Sequence, residues 1–387
     1  MKLICPSCQE AFDTDKKKCP KCGDVHQVGV PEEEKLLEES RVVAEESEAF
    51  GLGELVGAID SVILQIAPGR IEGAVKEFRE MTPLELAGCY ENEDFRWCVM
   101  SSKRPPRFIV REARRKLMNP FSGYNMGEKT REDTDTRLET FVFEVSDIEK
   151  LFEIQKSRGV SFLTEGIVDS RNYRFVQTAP SRFAGNSVGY IQWEGEEHDY
   201  AGRKDEMASL NVGERTMDHV QHLDYMDHTA TRVRANDRIE AIKEWLTLLP
   251  YDFQFSVYVK NLNSITNVTR MVGQDYAQVF TTGITPYQGL SAAFEPTERF
   301  IIDYGTRVHH VAWSTWEIEE VVHSLKEGGQ RFLVDLIGSE DEGLKQTFTV
   351  PSDFTMLVTE YIHRYPGFDG FFTRSNVTEL TRATALQ

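Results

Sequence analysis

The chain has 387 residues, a formal net charge of −19 and 40 % hydrophobic residues. That length suits two to three domains with a sizeable core. The acidic balance argues against a non-specific nucleic-acid surface, and no apolar run reaches membrane-spanning length.

The first residues read MKLICPSC, with no apolar stretch of signal-peptide type, so cytoplasmic residence is expected. Cys5-Pro-Ser-Cys8 and Cys19-Pro-Lys-Cys22 follow, two tight turns that together supply four thiolates. That set suits a closed, tetrahedral Zn(II) site, and metal binding would supply the folding free energy of so short a segment. Residues 1–28 are therefore read as a zinc ribbon, a candidate contact for a protein partner. Cys89 and Cys98 stand apart and read as buried thiols.

Residues 29–54 read as an acidic helical linker. Pro31 and the glutamates after it suit a helix N-terminus, and Leu36, Leu37, Val42 and Val43 could give one apolar face. From about residue 58, a strand, a helix and several strands recur four times. The units open at AIDSVILQI (58–66), TFVFEV (140–145), YMDHTATRV (225–233) and HHVAWST (309–315).

The second unit is repeated in the fourth. Residues 137–163 align without a gap on 307–333, with Arg, Ile-Glu, Lys, Gly and Phe-Leu at matching places. Residues 58–66 resemble 225–233 more weakly. In each pair the later copy carries a histidine the earlier one lacks: Ser61 corresponds to His228 and Thr140 to His310. One duplicated scaffold is expected, with a metal in the later half. Glu360, on the strand LVTEYIH, completes the set. Two imidazoles and a carboxylate held facially leave open positions, which suits Fe(II) and oxygen chemistry. Strand alternation would turn His309 and Tyr361 to the opposite face. His219, in another Met-Asp-His, is the competing ligand for His228.

These segments resemble a known family. MDHTATRV with EAIKEWLTLLPYDF, DYGTRVHHVAWSTWEIEEVVHSLKEGGQRFL and TEYIHRYPGF…SNV look like parts of 4-hydroxyphenylpyruvate dioxygenase. The likeness runs from about 225 to 380, and earlier only in architecture. It implies an α+β vicinal-oxygen-chelate fold: four βαβββ units paired into two open barrels, over 55–212 without metal and 213–387 with it. It implies Fe(II) on His228, His310 and Glu360, and oxygenation of a 2-oxo acid by O2. Gln278, Phe280, Phe372 and Asn376 are the candidate substrate contacts.

There are departures. The interval from His310 to Glu360 is short for that family. Its Asn-Glu-Pro and Ser-Gln-Ile segments are missing between 281 and 303, where only Glu295-Pro296 is left. Its terminal Gly-Asn-Phe is Ser375-Asn376-Val377. An altered substrate is expected, a 2-oxo acid or an aromatic compound. An extradiol ring-cleaving dioxygenase, with His309 or His363 as acid/base, and a non-catalytic ligand- or partner-binding protein are the alternatives. A homo-oligomer stays open.

Overall fold

The computed structural model describes residues 2–4, 11–13, 31–195, 198–215 and 217–387. The expected zinc ligands Cys5, Cys8, Cys19 and Cys22 lie outside the described residues. Around the first pair, β1 (Lys2–Ile4) runs antiparallel to β2 (Ala11–Asp13).

Helix α1 (Pro31–Ala49) is followed by the short α2 (Leu52–Leu55). Leu36, Ser40, Val43 and Ser47 are buried along one side of α1, whereas Val42 is exposed. The helical period selects Leu36 and Val43 and leaves Val42 a third of a turn away. This helix docks on a later one, α5 (Arg238–Leu248). Glu33, buried, accepts from Arg238 Nη2 (2.5 Å) and Tyr258 OH (2.8 Å).

Unit one is β3 (Val56–Ile66), α3 (Ile71–Met81), β4 (Glu85–Glu91), β5 (Phe95–Ser101) and β6 (Arg107–Ala113). Unit two is β7 (Arg137–Val145), α4 (Ile148–Ser157), β8 (Val168–Asp169), β9 (Tyr173–Gln177) and β10 (Ser187–Trp193). With β11 (Glu206–Ala208) they form one sheet, ordered β11-β4-β5-β6-β3-β7-β10-β9-β8. Unit three is β12 (Leu223–Arg232), α5, β13 (Asp252–Val259), β14 (Ser264–Arg270) and β15 (Ala277–Thr282). After α6 (Pro296–Tyr304) comes unit four: β16 (Arg307–Thr315), α7 (Ile318–Glu327), β17 (Ile337–Ser339), β18 (Leu344–Phe348) and β19 (Val358–Arg364). Their sheet is ordered β13-β14-β15-β12-β16-β19-β18-β17, and α8 (Arg374–Ala383) follows it. In both sheets the first strands of the two units pair antiparallel at the centre, and each pairs in parallel with its own unit's last strand. The repeat thus folds as a repeat.

Matching residues do matching work. Gly159 and Gly329 follow α4 and α7 with φ of 80° and 90°, where a side chain would be strained. Arg137 Nη2 donates to Thr306 O (3.1 Å), and Arg307 Nη2 donates to Thr136 O (2.8 Å). These fully buried arginines form a reciprocal clasp between the halves. Edge-to-face Phe141–Trp245 and tilted Phe108–Trp313 contacts fill the apolar layer beside it.

Cys89 and Cys98, expected as separate thiols, are directly opposed on β4 and β5 and form a disulfide. The nine-residue separation had hidden a hairpin register that puts them side by side. No helix among the described residues is long and apolar enough to cross a membrane.

Candidate metal centre

Two β-bulges shape the site. On β12, Met226 faces Trp313 and His228 faces Ala312, so Asp227 is an extra residue. On β16, His310 faces Ala230 and Val308 faces Thr231, so His309 is extra. A bulge bends its strand and re-aims the side chain there. Unit one and unit two carry the same irregularities, at Asp60 and Glu139.

The bulges explain where His309 goes. Strand alternation put it on the face opposite His310, but the inserted residue turns the rings together, with Nδ1 atoms 2.7 Å apart. Tyr361, on a regular strand, does point away and donates to Met81 O (2.8 Å).

The structure brings together His228, His310 and Glu360, all buried. The Nε2 atoms of the histidines are 3.4 Å apart. Glu360 Oε2 lies 3.2 Å from His228 Nε2 and 3.1 Å from His310 Nε2. Ligands about 2.1 Å from one ion, at near-right or tetrahedral angles, sit roughly 3.0–3.4 Å from each other. The donor set therefore fits a transition metal. Among the described residues no fourth metal-ligating side chain joins this group.

Each ligand is held from behind. His228 Nδ1 lies 2.7 Å from Asp227 Oδ1, which frees Nε2. Asp227 is clamped in turn by Arg364, through Nη1 to Oδ2 and Nη2 to Oδ1. For His310 Nε2 to be free, its Nδ1–H must donate to His309 Nδ1, and His309 Nε2–H then donates to Gln387 Oε1 (3.0 Å). Glu360 Oε1 accepts from Gln346 Nε2 (2.5 Å), whose Oε1 accepts from Asn376 Nδ2 (3.0 Å). Outer partners of this kind fix ligand orientation.

Charge and burial set the protonation of the two imidazoles. Burial, with His309, His228 and Arg232 nearby, holds His310 well below its ordinary value, so it is neutral. Burial opposes charge on His228 too, but Glu360 and Asp227 overcome it and hold its pKa up to about 9. A bound metal would displace that proton.

A cavity of about 40 Å³ opens beside the cluster, lined by Arg232, Thr281, Phe348, Phe372, Val377 and Leu380 among others. Phe372 stands edge-on to His228, at 5.2 Å between centroids. The other expected substrate contacts lie elsewhere. Gln278 bonds Thr229, Thr231 and Tyr276, and Phe280 packs on Trp245, both on the face between the barrels. The register is the reason: His228 pairs with Ala277, so Val279 and Thr281 share its face instead. Asn376 acts on Glu360 through Gln346. His219 bonds Ser324 Oγ (2.9 Å) and Glu80 O (3.0 Å), outside the cluster, and His363 bonds Thr315 O (2.7 Å). Sequence reasoning missed Arg232, Gln346 and the role of Asp227. Asp227 adjoins a ligand, and Arg232 lies two alternations beyond one.

In a second acid–histidine group, Asp60, Glu144 and His198, two of the three side chains have other partners. Asp60 already accepts from Trp193 Nε1 (3.0 Å) and Tyr200 OH (2.6 Å), and the Arg107 cation reaches His198 Nδ1 at 3.3 Å. The N-terminal positions equivalent to the ligands carry Ser61, Thr140 and Gly189.

No protein-family model matches the chain, and no curated protein sequence matches it. Solved structures do. A triple mutant of 4-hydroxymandelate synthase from Streptomyces coelicolor superposes with a TM-score of 0.65 and 17 % identity, covering 86 % of this chain and 99 % of that one. A xylose isomerase-like TIM barrel/4-hydroxyphenylpyruvate dioxygenase fusion protein superposes with a TM-score of 0.58 and 13 % identity, covering 91 % of this chain and 58 % of that one. The chain thus has the paired-barrel vicinal-oxygen-chelate fold, as those two proteins do.

Proposed function

We propose that the chain is a non-haem Fe(II)-dependent dioxygenase acting on a 2-oxo acid. One observation carries the reading: two neutral-capable imidazoles and one carboxylate converge within 3.4 Å of each other at the edge of a cavity. Among the described residues no further ligand fills the open side. Bound Fe(II) would supply oxygen activation there. The chain's own part is to hold and to shield. His228, His310 and Glu360 grip one face of the ion, and Asp227, His309 and Gln346 keep their donor atoms aimed. Phe372, Val377 and Leu380 exclude water from the open side. The parts would be a zinc ribbon over 1–28, an acidic helix over 29–54, and barrels over 55–212 and 213–387.

The extradiol alternative needs a free acid/base group beside the metal. His309 is engaged on both nitrogens and His363 is turned to the strand backbone, which favours the 2-oxo acid reading.

Anaerobic Fe(II) titration, with metal counted per chain, tests the proposal. Wild type should take one iron beyond any ribbon zinc, and His310→Ala and Glu360→Ala should each lose it. Oxygen uptake with matched CO2 release from 2-oxo acids should follow. A yellow ring-cleavage product from catechols would replace this reading, and a barrel that takes no iron would remove it.

A further inference from the structure

Arg232 ends β12 four residues past His228, so alternation turns both side chains into the same barrel. It lines the cavity beside His228, His310 and Glu360 and is only 4 % exposed. Nη1 donates to Thr297 Oγ1 (2.6 Å), while Nε is buried without a partner. Among the described residues, Glu298 is the carboxylate whose charge reaches it, and Glu298 Oε1 is taken by the Ala235 and Gly283 amides. Burial lowers the Arg232 pKa to about 9, and Glu298 offsets this only in part. Burying a cation without an anion is strongly unfavourable, so its presence calls for a function.

The N-terminal barrel shows the contrast. Gln65 holds the position equivalent to Arg232, and its strand neighbour Arg111 supplies the inward guanidinium. Arg111 is answered within the chain: Nη2 donates to Glu139 Oε2 at 2.7 Å, and Nε to Gln65 Oε1 at 2.9 Å. Glu139 is the bulge residue of β7, and the bulge residue of β16 is the neutral His309. The C-terminal barrel keeps a cation, and among the described residues no carboxylate forms an ion pair with it. With a divalent ion bound, the ion, Glu360 and Arg232 leave two positive charges around one cavity.

We propose that Arg232 receives a second anionic group of the substrate, so that the site takes a small dianion: a 2-oxo acid with a distal carboxylate. This rests on the 2-oxo acid reading of the metal site and deepens it. Strand rise puts the His228 and Arg232 Cα atoms roughly 13 Å apart. The distal carboxylate is therefore a different group from the one at the metal. A short carbon chain spans the gap once both side chains reach inward.

Calorimetry on the Fe(II)-loaded chain under anaerobic conditions tests this. The probes are 2-oxoglutarate and 2-oxoadipate, each against the monoanion of equal length, 2-oxovalerate and 2-oxohexanoate. Wild type should bind one dianion at least about tenfold tighter than its monoanion. Arg232→Gln should bring that ratio to about one, with iron content unchanged, and Arg232→Lys should keep part of it. A ratio of one in wild type, or a ratio that survives Arg232→Gln, overturns the inference. Binding is read without turnover. A chain that prefers the dianion but consumes no oxygen refutes the oxygenase reading and leaves this one standing.

Discussion

Asp227→Ala separates the support of the site from the site itself. Asp227 is fully enclosed, touches His228 Nδ1 at 2.7 Å and neutralises Arg364, whose side chain is 20 % exposed. Removing it does two things. His228 loses the acceptor that fixes its tautomer, which should weaken metal binding by roughly 10- to 100-fold. Arg364 is left without its anion, which should lower stability by about 3 kcal/mol, the low end for a broken buried pair because Arg364 reaches solvent. Asp227→Asn keeps an acceptor for His228 but not the charge, so it should lose most of the stability and less of the affinity. The assays are Co(II) competition against a chromophoric chelator, and urea unfolding of the metal-free chain. The pH dependence has a definite sign. Burial pushes the Asp227 carboxyl up, but Arg364 and His228 outweigh it and hold it below its ordinary 3.8. The stability it contributes is therefore complete above that value and lost as pH falls further. The gap between wild type and Asp227→Ala should persist at pH 7 and narrow below about pH 4. Wild-type affinity and an unchanged urea midpoint in Asp227→Ala at pH 7 would refute the reasoning.

Gln278→Ala tests the strand register. It deletes bonds to Thr229, Thr231 and Tyr276 between the barrels, so stability should fall by about 1–3 kcal/mol while iron content and 2-oxo acid affinity stay put. Lost affinity at full stability would place Gln278 on the metal side after all. Glu77→Gln tests a half-buried acid on α3, whose carboxyl desolvation raises from 4.5 to about 7. The native chain holds a proton there that the unfolded chain releases, so wild type loses stability as pH rises from 4.5 to 7. The variant lacks that slope and should exceed wild type by about 2 kcal/mol at pH 8, with little difference at pH 4. An equal difference at both pH values would exclude the titration.

Sequence alone determined the architecture, because the gapless match of 137–163 to 307–333 carries helix period, strand alternation and capping glycines together. It also singled out His228, His310 and Glu360, since two histidines stand where the earlier copies have Ser61 and Thr140. The tertiary structure decided everything that depends on register. A bulge inserts one residue without changing the local pattern, so nothing in VHHVAW announces that His309 turns toward His310. A one-residue phase error sends a whole strand face the wrong way, which is why Gln278 and Phe280 read as substrate contacts and instead pack between the barrels. The Cys89–Cys98 bond and the lone charge of Arg232 share that origin. Each depends on which residue of a neighbouring strand lies opposite, in the β4–β5 hairpin for the disulfide and across the sheet for Arg232.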